Sequence, residues 1–319
     1  MKNLAKKNKN LFASLQNLVS RLWLEISKYI FWVIFALCFL LIVCGYLLEQ
    51  QKQDLLIDTL FKMNNLPDNI TAISYLVGDI GSGKLLAKKN GDIHFFSASL
   101  SKLMAGIIVL ENFSFDEEII ISPYAVSIEG EEGGLVANEK ISAGDLLKIL
   151  LISSSNDAAI AFEEALEKKD GNFVGLMNQK AREFKLFNSA FFDASGLDRK
   201  GNFTSIEDLF KLSRKIYQNY PYLGEITRKK EDVVYSIDKE IIHNLENTNI
   251  LIGEIYNLWG GKTGSTPEAK DCLLTIYEFS FPEKNDKIVI SIIVLNSADR
   301  FGDTMKLYNW VREQLAISN

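Results

Sequence analysis

The chain has 319 residues, 47% of them hydrophobic, and a formal net charge of −6. That length holds one large domain or two ordinary ones, and the acidic balance excludes a molecule built as a whole to bind nucleic acid. Its two histidines, His94 and His243, are too few and too isolated to suggest a metal site.

Charge is unevenly spread. Residues 1–28 carry Lys2, Lys6, Lys7, Lys9, Arg21 and Lys28 against Glu25 alone. Within this basic segment Leu11, Leu15, Leu18, Val19, Leu22 and Ile26 share one helical face, which suits a helix lying on a membrane surface or one that self-associates. Residues 29–48, YIFWVIFALCFLLIVCGYLL, hold no charge. At about 1.5 Å per residue they span roughly 30 Å, the thickness of a bilayer core. Positive charge before the run, and Glu49, Asp54 and Asp58 after it, predict a cytoplasmic N-terminus and a C-terminal bulk outside the cytoplasmic membrane. No small-x-small site follows the run, and Val43 is too large to precede a lipoprotein cleavage cysteine. Cys38 and Cys44 fall in the span, leaving Cys272 without a disulfide partner outside it.

Residues 49–68 read as a polar stalk, and residues 69–319 as the main domain. TAISYLVGD and KLLAKK flank IGSG and predict a hairpin. Helical periodicity follows at 99–112, 142–152, 155–168, 172–184 and 205–219, with a short strand at EEIIIS and an acidic glycine-rich loop at GEEGGLVANEK. NLWGGKTG, CLLTIYEFSF and KIVISIIVLN are three strands in succession, and 302–316 is a closing helix. Strands, helices, strands, helix predict an α/β domain whose antiparallel sheet is assembled from both ends. GDIGSGKL is not a phosphate-binding loop, because Leu85 stands where a hydroxyl is required.

Three short segments can carry chemistry. Ser99 and Lys102 lie three apart at the start of a helical run, on one face if Ser99 opens it. Lysine is a base only when neutral, and working near pH 7 needs a drop of about three pKa units, or about 4 kcal/mol. Desolvation and a nearby second cation can supply it. The competing structural reading is a capping serine beside a solvated lysine. Ser154 and Asn156 stand at the junction of two helical runs, where capping by Ser155 or Asn156 competes with a role in a cleft. Lys262 and Thr263 lie at the end of a strand between glycines, where a cation and a hydroxyl suit a carboxylate.

The order S-x-x-K, S-x-N, K-T-G resembles the active-site serine penicillin-recognising enzymes, above all the D-alanyl-D-alanine carboxypeptidases (low-molecular-mass penicillin-binding proteins). The resemblance covers roughly residues 69–316 and includes FFDASGLDRKGNFTSIEDLFKLS and GGKTGSTPEAKDCLL, with Lys270 where many members have glycine. It implies a β-lactamase/DD-peptidase-like fold, an antiparallel sheet flanked by helices plus a helical subdomain. It also implies roles: Ser99 as nucleophile, Lys102 as neutral base and Ser154 as proton relay. Asn156 would hold the substrate amide, and Lys262 would stay charged while Thr263 binds the terminal carboxylate. Gly264 and Ser265 would complete the binding strand, with the N–H groups of Ser99 and Ser265 as oxyanion hole. No metal or organic cofactor is needed. Peptidoglycan stem peptides would be substrates and β-lactams covalent inhibitors. The β-rich second domain and C-terminal anchor of many relatives are expected to be missing, with the N-terminal span as anchor. Alternatives are a DD-endopeptidase, a β-lactamase using Asp193 or Asp198, and a non-catalytic wall-binding protein. For topology, an export-dependent reporter should work when fused after residue 70 and fail before residue 28. Cytoplasmic activity of a C-terminal fusion contradicts this orientation.

Overall fold

The computed structural model describes residues 22–23, 28, 31–48, 51, 66–197, 201–281 and 286–316. The chain divides into two compact units, Met1–Ile57 and Asp58–Asn319. In the first, helix α1 (Phe31–Leu48) has a mean hydropathy of 2.7 and every residue exposed, which fits a single membrane anchor. Most of the amphipathic segment, most of the stalk, and Asp198 lie outside the described residues.

The second unit is organised by a five-stranded sheet. Strands β1 (Ser74–Asp79) and β2 (Leu85–Lys89) form the expected hairpin. Its turn is fixed by Asp79, whose Oδ2 accepts from the Ser82 amide at 2.7 Å and hydroxyl at 2.6 Å. β9 (Leu258–Thr266), β10 (Lys270–Phe281) and β11 (Asp286–Ser297) come from the other end of the chain. β1 pairs with β11, giving the antiparallel order β2-β1-β11-β10-β9.

β11 explains the layering. Residues Ile288 to Leu295 are all buried, which requires cover on both faces. Ser291 pairs with Gly78, over which the Phe210 ring of α7 (Ile206–Asn219) packs so closely that a Cβ would stand 2.6 Å away. Ile290 pairs with Tyr277, whose ring lies 4.7 Å from Tyr308 of α9 (Arg300–Ala316). Helices therefore cover both sides.

The helical layer lies between the two halves of the sheet in sequence. It contains α2 (Ser101–Asn112), α3 (Pro123–Val126), α4 (Ala143–Ile152), α5 (Asn156–Glu167) and α6 (Phe173–Glu183). In α2, every residue from Ser101 to Val109 is buried, so it is a central helix without a solvent stripe. Ser142, Ser155, Asn172 and Ser205 cap α4, α5, α6 and α7 through their side chains. Three two-stranded ladders complete the unit: β3 (Phe95–Phe96) with β6 (Phe203–Thr204), β4 (Glu118–Ile120) with β5 (Lys140–Ser142), and β7 (Glu231–Tyr235) with β8 (Ile242–Glu246). The β7–β8 hairpin and helix α8 (Pro221–Thr227) are additions to the elements expected from sequence.

Lys270 opens β10 with φ +55°, the left-handed region that glycine occupies without a Cβ clash. Lys270→Gly should therefore stabilise the domain by about 1 kcal/mol, read as a higher denaturant midpoint at unchanged m. A lower midpoint would show that the lysine side chain contributes more than the strain removes.

Candidate active site

Ser99 lies not in α2 but in a 3₁₀ turn, Ala98–Leu100, that leads into it. Lys102, in the first turn of α2, is fully buried, whereas Ser99 is partly exposed. Lys102 Nζ lies 2.7 Å from Ser99 Oγ, 2.7 Å from Asn156 Oδ1 and 2.8 Å from the Ser195 carbonyl. The last two can only accept. A neutral amine uses its two protons on them and has one lone pair left, and Ser99 is the partner that can donate to it. Burial first, and the Lys262 charge second, hold the Lys102 ammonium well below the usual lysine range, against the opposing pull of Glu131, Asp193 and Asp157. The competing picture of a solvated lysine does not describe this group.

Ser154 and Asn156 stand where α4 gives way to α5, as expected, and the cap is Ser155, whose Oγ accepts from the Ala158 amide. Ser154 is buried with φ +63° and accepts a 2.7 Å hydrogen bond from Lys262 Nζ. Both ends of the Asn156 amide are already engaged: Oδ1 by Lys102, and Nδ2 by the Glu129 carbonyl at 3.1 Å. In this state Asn156 orients the lysine.

Lys262, Thr263 and Gly264 lie within β9, not at its end; the strand runs on through Ser265 to Thr266. Gly264 faces the nucleophile, and a Cβ there would stand 3.1 Å from the Ser99 amide nitrogen. Gly196 closes the other side: its φ is +83° and a Cβ would sit 1.9 Å from the Ala98 carbonyl oxygen. Lys262 is fully buried, and its pKa falls to about 7, through burial first, with Arg300 lowering it further and Glu131 raising it. The charge on Lys262 is thus conditional, not fixed as expected from sequence.

Several participants carried no recognisable signal in sequence. Arg300 donates to the Gly264 carbonyl at 3.0 Å and adds positive charge beside Lys262. Thr248 hydrogen-bonds the Thr263 hydroxyl. The acidic loop, which the sequence does mark, forms a wall: its Glu131 carbonyl accepts from the Asn156 backbone N–H at 2.7 Å, and buried Asp157 accepts from the Gly133 backbone N–H at 3.0 Å. Asp193 is consumed by its own loop, accepting from Ser195 Oγ at 2.7 Å and the Gly196 amide at 2.8 Å. His94 meets Asn188, and His243 pairs with buried Glu139 at 2.6 Å.

A family model described as D-alanyl-D-alanine carboxypeptidase matches residues 61–298. The chain belongs to this family. Among curated relatives, it is 31% identical to the D-alanyl-D-alanine carboxypeptidase DacF of Bacillus subtilis over 60% of this chain and 50% of that protein. It is 28% identical to DacC of Escherichia coli over 76% and 61%, respectively. It therefore spans about half to three-fifths of the length of these two relatives. A D-alanyl-D-alanine endopeptidase of Pseudomonas aeruginosa matches at 28% over 77% of this chain and 79% of its own. Among solved structures, penicillin-binding protein D2 of Listeria monocytogenes, in an ampicillin-bound form, superposes with a TM-score of 0.64 at 32% identity, covering 77% of this chain and 99% of that one. The fold is that of the DD-peptidases, as the resemblance carried by the three motifs implies.

The Lys262 pKa of about 7 fixes a sign. Below pH 7 the ammonium is charged and attracts a carboxylate; above it the attraction fades. KM for an anionic substrate should therefore rise as pH passes through about 7. In Lys262→Arg, where the cation cannot deprotonate, that rise should disappear. A KM that climbs identically in parent and variant would assign the effect elsewhere.

Proposed function

We propose that this protein is a membrane-anchored serine D-Ala-D-Ala carboxypeptidase that trims the terminal D-alanine from peptidoglycan stem peptides. The observation that carries the reading is the buried Lys102 amine, whose other partners are obligate acceptors and whose lone pair is left for the Ser99 hydroxyl.

In this mechanism the Ser99 proton passes to Lys102 as Oγ attacks the carbonyl carbon of the penultimate D-alanine. The backbone N–H groups of Ser99 and Ser265 stabilise the oxyanion, each donor worth about 3 kcal/mol. The C–N bond then breaks. The departing amine takes its proton from Lys102 through Ser154, and free D-alanine leaves. Water attacks the resulting ester, giving a proton to Lys102; the acyl C–Oγ bond then breaks, Lys102 returns that proton to Ser99 Oγ, and the shortened peptide leaves with a new terminal carboxylate. Lys262, Thr263 and Arg300 form the positive end that receives the terminal carboxylate, and β-lactams acylate Ser99 by the same attack. The uncharged residues 29–48 anchor the chain, residues 1–28 stay in the cytoplasm, residues 49–68 act as spacer, and the catalytic domain works outside the cytoplasmic membrane of a bacterium.

A second reading, cleavage of D-alanyl cross-links, draws support from the endopeptidase relative, which this chain matches over more of its length than it does the first two carboxypeptidases. The test is release of D-alanine from a D-Ala-D-Ala peptide by the full-length protein in detergent, beside digestion of cross-linked muropeptides. The carboxypeptidase reading predicts free D-alanine, abolished in Ser99→Ala and reduced at least a thousandfold in Lys102→Arg, whose guanidinium stays protonated. Cross-link cleavage without D-alanine release would favour the second reading.

A further inference from the structure

The Ser195 carbonyl is one of three groups that hold the Lys102 nitrogen, yet it comes from a loop between α6 and β6. A base is only as well placed as the groups that orient it, so what fixes this carbonyl matters. Asn178 of α6 grips Phe191 by both backbone groups: Oδ1 accepts from its N–H at 3.0 Å, and Nδ2 donates to its carbonyl at 2.7 Å. Asn202 Oδ1 accepts from the Phe192 N–H at 2.7 Å. Asp193, within the loop, accepts from the Gly196 N–H at 2.8 Å. That N–H belongs to the same planar peptide unit as the Ser195 carbonyl. Between these anchors lies Ala194, which has no exposed surface. Its N–H donates to Glu163 Oε1, on α5.

Glu163 reaches this loop from the helix that already serves the base. Asn156 and Glu163 stand seven residues apart in α5, two turns along one face. Asn156 touches Lys102 directly, whereas Glu163 holds the residue before the one whose carbonyl does. Among the described residues it is the last tie from outside the loop before that carbonyl. A buried N–H deprived of its acceptor must shift to find water or another partner, and the next peptide moves with it. The same loop backs the nucleophile: Gly196 packs so tightly on Ala98 that a Cβ would stand 1.9 Å from the carbonyl oxygen. A displacement at Ala194 is therefore felt by Ser99 and Lys102 together. The carboxylate end of the site, Lys262, Thr263 and Arg300, stands on other elements, β9 and the start of α9.

We propose that Glu163 is a positioning residue for acyl transfer: by holding the Ala194 N–H it fixes the Ser195 carbonyl on Lys102 and Gly196 against the Ser99 turn. The proposal rests on the Ser99–Lys102 reading of the site. The test follows acylation of the full-length protein in detergent by a fluorescent penicillin in single turnover. A first-order rate constant does not depend on how much of a sample is folded, so it separates placement from stability. Glu163→Ala should lower the rate constant at saturation about tenfold. The half-saturating concentration should stay within about twofold of the parent, because the carboxylate end is untouched. Glu163→Gln keeps an accepting oxygen and should retain at least about half the parent rate. If Glu163→Ala does not fold, Glu163→Asp, whose carboxylate falls one methylene short of Ala194, replaces it with the same expectation. A rate constant at the parent value with only a lower melting temperature makes Glu163 structural and overturns the proposal. So does a loss confined to the half-saturating concentration, or a Glu163→Gln that falls as far as Glu163→Ala. A parent that neither binds penicillin covalently nor releases D-alanine overturns instead the Ser99–Lys102 reading beneath it.

Discussion

A single amine taken out of water organises this domain. Lys102 is fully buried, and an unpaired ammonium there would be prohibitively costly. The protein meets this in two ways: it supplies three polar partners for the nitrogen, and it lowers the pKa so that the charge can be dropped. Each partner comes from a different part of the chain, namely the 3₁₀ turn before α2, the start of α5 and the loop that carries Ser195. Holding that nitrogen therefore requires the helical layer and the loop after α6 to be in register. Lys262, on β9, brings the sheet into the same cluster through its effect on Lys102 and its bond to Ser154.

The backbone around this cluster is close-fitting and strained where it meets the nucleophile. Ala98 and Ser154 hold φ values of +46° and +63°, unfavourable for residues with a Cβ and costing about 1–3 kcal/mol each. Gly196 and Gly264 admit the Ala98–Ser99 backbone between them, since a methyl group at either would crowd it. These are features of a site that fixes its geometry before substrate arrives. Asp157 serves the same end at longer range, tying the acidic loop to the start of α5 so that Glu131 acts electrostatically on both lysines.

Much of this was legible in sequence because strongly periodic segments dominate the core. From Ile288 to Leu295 β11 is an apolar run interrupted by Ser291 alone, and α7 has a marked apolar stripe, so both could be placed from pattern alone. The three motifs carried the site because each packs its functional residues within a few positions. What escaped was set by tertiary proximity. Arg300 sits at the start of α9, far in sequence from β9, and only folding brings it to Gly264. In the β7–β8 hairpin only Val234, His243 and Leu245 face inward, while Val233, Tyr235 and Ile242 are exposed beside charged residues, so the apolar pattern was too short and irregular to mark a strand. Asn156 could be assigned to the cleft, but its double engagement with Lys102 and Glu129 depends on a loop whose path the sequence does not specify. The lowered pKa of Lys262 likewise follows from burial, which no local pattern reports.

The claim on which the account depends is that Lys102 is neutral because it is buried beside a second lysine. Lysine-selective ¹⁵N NMR of Nζ, assigned by loss of the signal in Lys102→Arg, measures this directly. The account predicts that the Lys102 resonance titrates well below the usual lysine range, and that it moves upward in Lys262→Met, where the neighbouring charge is gone. A Lys102 signal that titrates with the exposed lysines, near 10.5, would contradict the mechanism at its base.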